Sequence, residues 1–523
     1  MSLLKNVGTI GGLTLVSRLF GFVRDILLAR VLGAGGVGDA WQLAFQLPNI
    51  FRRLFAEGAF ASAFVPLFNR RMTNGDDISE ARLFGEQVLA FLIPILIVFG
   101  ALALIAMPWI AGLFANEGIS SDPKLFDLAV LMARVAFPYL FFMSLATLFA
   151  AILNSLSRFA AAAAAPIMLN ICLITALLIG MTLGDGMEAR RQTGVYLAIA
   201  VTISGLLQLL WLAMWSYRSG FRMTLRAPRL TKGVKELGIL ILPAVFGAGV
   251  YQISRFIDLF FLSTLPDGAY TFLAMGDRLN QLPLGIIGIA LGTAILPALS
   301  RHIANDEGNA ASRLQSNAVE LAMLLTVPAA VALFVTGSAF TRAFYTGGAY
   351  TLADSIATGA VVSALVVGLP AYVLIKVLVP NFFARKDTRT PVFTALASLL
   401  LNIGLNFMLV PRLGVVGLAL AGSAAAWCNA TLLYVLLTRK GYFRIGGQAV
   451  SRILRIGIAA ALMGAALYFA MPVGSEWYAG NIGQRVGSIL ALVLTGAAVY
   501  FAAAIMLGVV NRATIRQLVN RPG

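Results

Sequence analysis

Residues 88–107 read VLAFLIPILIVFGALALIAM, twenty consecutive residues without a charged side chain. An α-helix of that length rises about 30 Å, which matches the hydrocarbon core of a bilayer. Similar apolar stretches recur along all 523 residues, of which 59% are hydrophobic and 12% charged, with a mean hydropathy of +0.88. The sequence is therefore that of an all-α polytopic membrane protein. We predict about 14 transmembrane helices, which start near residues 7, 38, 84, 125, 160, 193, 236, 269, 315, 354, 390, 414, 452 and 485.

Basic side chains are concentrated in alternate connectors between these predicted helices. Residues 218–235 carry six of them, and the connectors around Arg70, Arg301, Arg385 and Arg439 are also basic. By the positive-inside rule this side is cytoplasmic, and an even number of helices places both termini there. The net charge of +17 then reflects topology and contact with anionic membrane lipids, so it does not indicate nucleic-acid binding.

The two halves of the chain carry the same landmarks in the same order. Asn170 follows Pro138 by 32 positions, just as Asn402 follows Pro370. Matching landmarks six helices apart point the same way through the membrane, so the pseudo-repeat is parallel, and we predict two six-helix lobes around a midplane cavity. The expected parts are an N-terminal lobe at 1–218, a basic amphipathic linker at 219–235, a C-terminal lobe at 236–440, and two extra C-terminal helices with a cytoplasmic tail at 441–523.

Few residues suited to catalysis or to cofactor binding are present. His302 is the single histidine and follows Arg301 in a polar connector, and the sequence contains neither a Gly-rich phosphate loop nor a zinc motif. Cys172 and Cys428 lie inside apolar stretches, where packing is their expected role. A glycosyltransferase or phosphatase acting on polyprenyl phosphates would need catalytic carboxylates or a histidine beside a donor site. We therefore expect a transporter rather than an enzyme, with no cofactor.

A polar stripe runs along the first predicted helix. At 100° per residue, Ser17, Arg18, Arg24 and Asp25 fall within an arc of about 120°, with Gly21 at its centre. Each charge near the bilayer centre costs about 2.5–3.5 kcal/mol on insertion scales, so this stripe must face an interior cavity rather than lipid. The central glycine leaves room for a ligand to approach the backbone.

Further charges lie in the second, eighth and tenth predicted helices. Interhelical ion pairs such as Arg24 with Asp39, or Arg53 with Glu57, would explain single charges, but the arginines are in excess. The planar fork of donors on each guanidinium suits phosphate, so the set is typical of a diphosphate clamp in which Asp25 and Asp39 position the arginines. The predicted substrate-binding residues are Ser17, Arg18, Arg24, Asp25, Asp39, Asn49, Arg52, Arg53, Glu57, Arg278 and Lys376.

A separate polar group lies in the second half of the chain. Asp258 belongs to the seventh predicted helix, and Asn402 and Asn406 lie one turn apart in the eleventh. Oxygen ligands of this kind hold hard cations, so a Na⁺ site is one hypothesis, and hydrogen bonds between packed helices are the alternative. The sequence leaves open whether Na⁺, protons or the membrane potential drives transport.

Three motifs carry a family resemblance: SRLFGFVRD at 17–25, FQLPNIFRRLFAEGAF at 45–60, and DRL at 277–279 followed by Leu282-Pro283. They resemble the MurJ (MviN) family of lipid II flippases in the multidrug, oligosaccharidyl-lipid and polysaccharide (MOP) exporter superfamily, and the similarity covers nearly the whole chain. The resemblance implies outward transport of lipid II across the bacterial inner membrane by alternating access, for peptidoglycan synthesis. It implies a groove for the polyprenyl tail at helices 13 and 14. The family's cavity residues map onto Arg18, Arg24, Asp39, Asn49, Arg52, Glu57, Arg278 and Lys376.

Two positions depart from some members of that family. Gln46 and Gln281 stand where some relatives carry lysine and glutamate, which changes the charge of the predicted cavity. The alternatives are a multidrug or metabolite antiporter, for which a mainly apolar and acidic cavity would be expected, and a flippase of another polyprenyl-diphosphate-linked oligosaccharide. The expected partners are lipid II, membrane lipids and the cell-wall synthesis machinery.

Overall fold

The computed structural model of the protein describes residues 3–53, 60–73 and 78–509. Apart from isolated bridge residues, all regular secondary structure in these ranges is helical, which confirms the all-α prediction. Lipid offers no partner to backbone N–H and C=O groups, so helices, which satisfy them internally, are the form these apolar stretches adopt. The chain divides into two compact units, one ending at Thr271 and including Gly348–Tyr350, the other formed by Phe272–Gly347 and the chain from Thr351.

The first unit contains ten helices within the described residues. They are α1 Leu3–Leu32, α2 Gly36–Arg52, α3 Ala61–Thr73, α4 Ser79–Phe114, α5 Glu117–Ser121, α6 Pro123–Ala136, α7 Tyr139–Ser155, α8 Phe159–Met181, α9 Met187–Arg218 and α10 Lys232–Ser263. α8 packs against both α1 and α9. One side of α1, the helix with the predicted polar stripe, therefore lies against α8.

The connector between α9 and α10 is fixed to the start of α4. Residues 221–231 form no helix, yet Phe221 is buried in the core of this unit. The Glu86 carboxylate, almost fully buried, accepts hydrogen bonds from the Thr224 amide (2.9 Å), the Thr224 hydroxyl (2.8 Å) and Arg226 Nε (2.5 Å). Charge-assisted bonds of this kind are the strong ones, so the connector follows a defined path.

The second unit begins within α11 and contains most of that helix. Its helices are α11 Ala269–Ala304, α12 Gly308–Tyr345, α13 Leu352–Val366, α14 Leu369–Ala384, α15 Arg389–Arg439, α16 Gly447–Ala470 and α17 Ile482–Met506. α16 and α17 pack against each other and against α12. Arg485, near the start of α17, donates hydrogen bonds to the carbonyls of Thr346 (2.6 Å) and Gly480 (2.8 Å). Thr346 directly follows α12, so these bonds tie the start of α17 to the end of α12.

Both units repeat the same interruptions. A two-residue break at Phe137–Pro138 separates α6 from α7, and an equivalent break at Val367–Gly368 separates α13 from α14. α7 and α14 then end in the same turn, in which Ser157 (φ 59°) and Lys386 (φ 60°) are left-handed. In each turn the next amide bonds the carbonyl five residues back, the Schellman pattern. These features agree with the predicted parallel repeat.

Nine spans within the described residues are long and apolar enough to cross a membrane, when α6–α7 and α13–α14 each count as one. The 51-residue α15 covers two predicted helices and contains a kink at Gly414 (φ 58°). The chain is thus a multi-pass membrane protein, and the total of about 14 crossings stays a prediction.

Candidate substrate-binding site

Asn170 on α8 forms a hydrogen bond with Arg24 in the polar stripe of α1. Arg24 Nε and Nη2 donate to Asp25 Oδ1 at 3.0 and 2.7 Å, and Arg24 Nη1 donates to Asn170 Oδ1 at 2.9 Å. All three side chains are buried, with exposed fractions of 7%, 4% and 6%. A buried guanidinium is tolerated only when it is paired and hydrogen-bonded. These bonds fix the position of the Arg24 guanidinium and the orientation of its plane.

Asn170 also forms a hydrogen bond with Ser17, the first residue of the polar stripe. Its Nδ2 donates to the Ser17 carbonyl at 3.0 Å, and its amide faces Gly21, where an added Cβ would lie 3.7 Å away. Gly21 therefore marks the contact between α1 and Asn170. Sequence reasoning noted Asn170 only as a landmark of the repeat, and that equal spacing was the one signal of its importance.

Arg18 differs from Arg24 in its surroundings. Its side chain is partly exposed, and no hydrogen bond or ion pair to it occurs among the described residues. A cation that is near a buried polar cluster but has no protein partner retains its full set of donors for an anion. Arg18 is accordingly the most available guanidinium of this stripe.

The end of α2 carries the next predicted residues. Asn49 Nδ2 donates to the Phe45 carbonyl at 2.8 Å, and Arg52 Nε approaches Asn49 Oδ1 at 3.4 Å. Arg53 follows α2 and is exposed, and Glu57 lies outside the described residues. Pro48 has no N–H to donate within α2, so the helix around Asn49 is free to deviate from regular geometry.

Asp39, at the start of α2, is surrounded by neutral donors. Its fully buried carboxylate accepts from Thr271 N (2.9 Å), Thr271 Oγ1 (2.7 Å), Gly268 N (2.7 Å) and Asn116 Nδ2 (2.9 Å). Among the described residues no arginine pairs with it, whereas Asp25 pairs with Arg24. Sequence reasoning missed Asn116, Gly268 and Thr271, which lie in or next to connectors and carry no distinctive pattern.

In the second unit the predicted residues lie on α11 and α14. Gln281 Nε2 donates to Asp277 Oδ2 at 2.5 Å. Asp277 directly precedes Arg278, whose side chain is partly exposed. Lys376 lies against α11 where glycine leaves space, since an added Cβ on Gly288 would be 3.3 Å from Lys376 Nζ. A side chain at Gly288 would therefore displace the ammonium group.

The proposed cation ligands have other contacts. Asp258 on α10 lies 3.9 Å from Arg255, a cation that competes for the same carboxylate. On α15, Asn406 Nδ2 donates to Asn402 Oδ1 at 3.2 Å, while the buried Asn406 Oδ1 has no partner among the described residues. The Na⁺ site stays a prediction.

Comparisons with known proteins give a consistent result. The family model described as "Lipid II flippase MurJ" matches residues 28–485. A protein of Rhizobium meliloti (strain 1021) named "Probable lipid II flippase MurJ" is 41% identical over 528 residues, covering 100% of this chain and 97% of its own.

Solved structures share the fold. "Lipid II flippase MurJ, inward closed conformation" matches with a TM-score of 0.78 at 24% identity, over 98% of this chain and 99% of its own. An inward-facing MATE multidrug transporter of the MOP superfamily matches with a TM-score of 0.66 at 15% identity, over 81% and 94% of the two chains.

Proposed function

This chain belongs to the lipid II flippase MurJ family, and we propose that it moves lipid II from the inner to the outer leaflet of the bacterial inner membrane. The family is one of transporters, so the chain is a transporter and not an enzyme. Transport by alternating access exposes the polar stripe of α1 first to one side of the membrane and then to the other. We further propose that both termini are cytoplasmic, because the connectors on their side are richer in lysine and arginine than those on the opposite side.

The observation that carries the proposal is the contrast between Arg24 and Arg18. Arg24 is buried and fixed by Asp25 and Asn170, whereas Arg18, on the same stripe of α1, has no partner in the described chain. Arg24 donates from all three of its nitrogens to Asp25 and Asn170, so it contributes a fixed positive charge, whereas Arg18 offers an open fork of donors. A fixed charge beside an open fork suits the adjacent phosphates of a diphosphate. The proposed contacts with lipid II also include Ser17, Asn49, Arg52, Arg53, Glu57, Arg278 and Lys376.

Asp39 has an indirect role in this proposal. Its four hydrogen bonds occupy the carboxylate, so it acts by holding the start of α2 rather than by touching phosphate. Arg52 and Arg53, at the other end of α2, then depend on Asp39 for a fixed helix position.

An apolar cavity in the second unit fits the polyprenyl tail. It has a volume of about 260 Å³ and lies between α11, α12, α16 and α17, where its lining includes Leu282, Phe340, Leu467, Leu492 and Ala497. Only the polyprenyl part of the cargo is apolar enough to prefer such a surface to water. We propose that this cavity holds part of the tail while the diphosphate binds the arginines.

Ala497→Phe is expected to narrow this cavity and to slow transport of long-chain cargo about tenfold, because the added ring occupies the space of the tail. Flipping of fluorescent lipid II by protein in liposomes measures the effect. A short-chain lipid II analogue, which does not need the cavity, should be flipped at nearly the wild-type rate. Equal slowing of both substrates would assign the defect to folding and contradict a tail site.

Depletion of the protein in its native cell tests the function as a whole. Lipid II accessible at the outer leaflet should fall while the inner pool rises, and re-expression of the wild type should restore it. Unchanged exposure, in cells without a second flippase, would instead favour another polyprenyl-diphosphate-linked cargo. The interaction with the cell-wall synthesis machinery stays a prediction, and the driving force for transport stays open.

A further inference from the structure

An arginine on α6 bonds a carbonyl group that α4 leaves unpaired. Pro108 has no N–H, so the carbonyl of Leu104, four residues earlier, lacks its helical hydrogen bond. Arg134 Nε donates to this carbonyl at 3.0 Å. The bond anchors one side of the guanidinium to α4 and leaves both terminal nitrogens directed elsewhere.

This part of the first unit faces the membrane. Arg134 is exposed, and its neighbours on both helices are large apolar side chains that are also exposed: Leu102, Ile105 and Trp109 on α4, and Leu131 on α6. In a multi-pass protein such a surface contacts lipid. Arg134 is therefore an ionised group at a lipid-facing position, where a charge is costly unless it finds a polar partner.

The depth of Arg134 follows from helix geometry. Leu104 precedes Trp109 by five residues, which is about 7.5 Å along α4. Exposed tryptophans favour the headgroup level, so the guanidinium lies just inside the hydrocarbon edge. Helical side chains point toward the N-terminus, here the start of α6 at Pro123, so Arg134 reaches back toward the same interface.

The donors of Arg134 select the ligand. The two terminal nitrogens carry four N–H groups, and none has a partner among the described residues. Acyl chains cannot accept hydrogen bonds, whereas a lipid phosphate at the interface can accept two from one guanidinium. Asp127, the nearest other charged residue along α6, is seven positions away, or about 10 Å, and does not occupy these donors.

We propose that Arg134, anchored on the Leu104 carbonyl, forms a lateral binding site for a lipid phosphate group, in the leaflet that borders the end of α4 at Phe114. The site is separate from the polar stripe of α1 and does not depend on the proposed function. A membrane phospholipid and a polyprenyl diphosphate present the same chemistry to it.

Native mass spectrometry of the full-length protein tests the site with two probes, phosphatidylglycerol and farnesyl diphosphate. For Arg134→Gln, the tightest binding of at least one probe should weaken about tenfold, because a charged donor pair is lost. Arg158→Gln, which removes an exposed arginine from the connector between α7 and α8, should change neither affinity more than twofold. Weakening of phosphatidylglycerol alone identifies a phospholipid site, and weakening of farnesyl diphosphate alone identifies a polyprenyl diphosphate site.

A second variant separates binding from folding. Pro108→Ala restores an N–H that can take the Leu104 carbonyl, so α4 gains a helical bond while Arg134 loses its anchor. Weaker lipid binding by this well-folded variant supports the site. Wild-type affinity for both probes in Arg134→Gln would overturn it.

Discussion

Cells that rely on the Arg24→Ala variant are expected to lose at least about 99% of lipid II flipping. The change removes two hydrogen bonds to Asp25 and one to Asn170, and it leaves a carboxylate that is 4% exposed without its cation. One charged hydrogen bond contributes about 1.5–3 kcal/mol, and 2.8 kcal/mol already corresponds to about a hundredfold. Exposure of lipid II at the outer leaflet, normalised to the amount of protein in the membrane, measures the loss.

Arg18→Ala separates substrate binding from folding in the same experiment. Since Arg18 has no partner in the described chain, its loss should leave the apparent Tm within about 1 °C of wild type, while flipping falls at least tenfold. Arg158→Ala, an exposed arginine in a connector, is the matched control for net charge and should flip normally. Normal flipping by both Arg18→Ala and Arg24→Ala would rule out the diphosphate clamp.

Asp39→Ala is expected to lower the free energy of unfolding by about 3 kcal/mol or more. The fully buried carboxylate accepts hydrogen bonds from Thr271, Gly268 and Asn116, and its loss leaves four donors without an acceptor. Unsatisfied buried donors each cost about 1–3 kcal/mol, although some will find water. Thermal unfolding in detergent should show a clear fall in apparent Tm, with reduced flipping as a consequence.

Two other substitutions define the origin of that effect. Asp127→Ala removes an exposed carboxylate that has no partner among the described residues, so the apparent Tm should stay unchanged. Thr271→Val removes one donor and keeps the shape of the side chain, so about 1 kcal/mol should be lost. If Asp39→Ala unfolded at the wild-type temperature, the carboxylate would not stabilise the start of α2.

The helical fold was predictable because lipid imposes one strong rule on the backbone. Apolar stretches of about 20 residues must form helices in lipid. The spacing from Pro138 to Asn170 equals that from Pro370 to Asn402, which by itself indicates the repeat. Charged residues inside apolar helices, such as Arg18 and Arg24, likewise indicate a polar interior.

The partners of those residues were harder to predict. The role of Asn170 depends on the contact between α1 and α8, which lie almost 150 residues apart in the chain. Helical periodicity shows which residues share a face, but it does not show which helix packs against that face. Asp39 was predicted to position the arginines, yet its donors are backbone amides and side chains near helix ends. The role of Arg134 was not predictable from the sequence, because one arginine in an apolar helix forms no pattern.

The bond between Arg24 and Asn170 has no counterpart among the described residues of the second half of the chain. The two halves of the chain carry matching landmarks, and Asn402 is the counterpart of Asn170 by position. Ser17-Arg18 and Ser254-Arg255 occupy similar places in the two halves, and counting from them makes Phe261 the counterpart of Arg24. Asn402 bonds Asn406 instead. Of the two halves as described, the first alone carries a buried guanidinium at this position. Under the proposed function, a cargo with one anionic head then meets a single docking point rather than two competing ones.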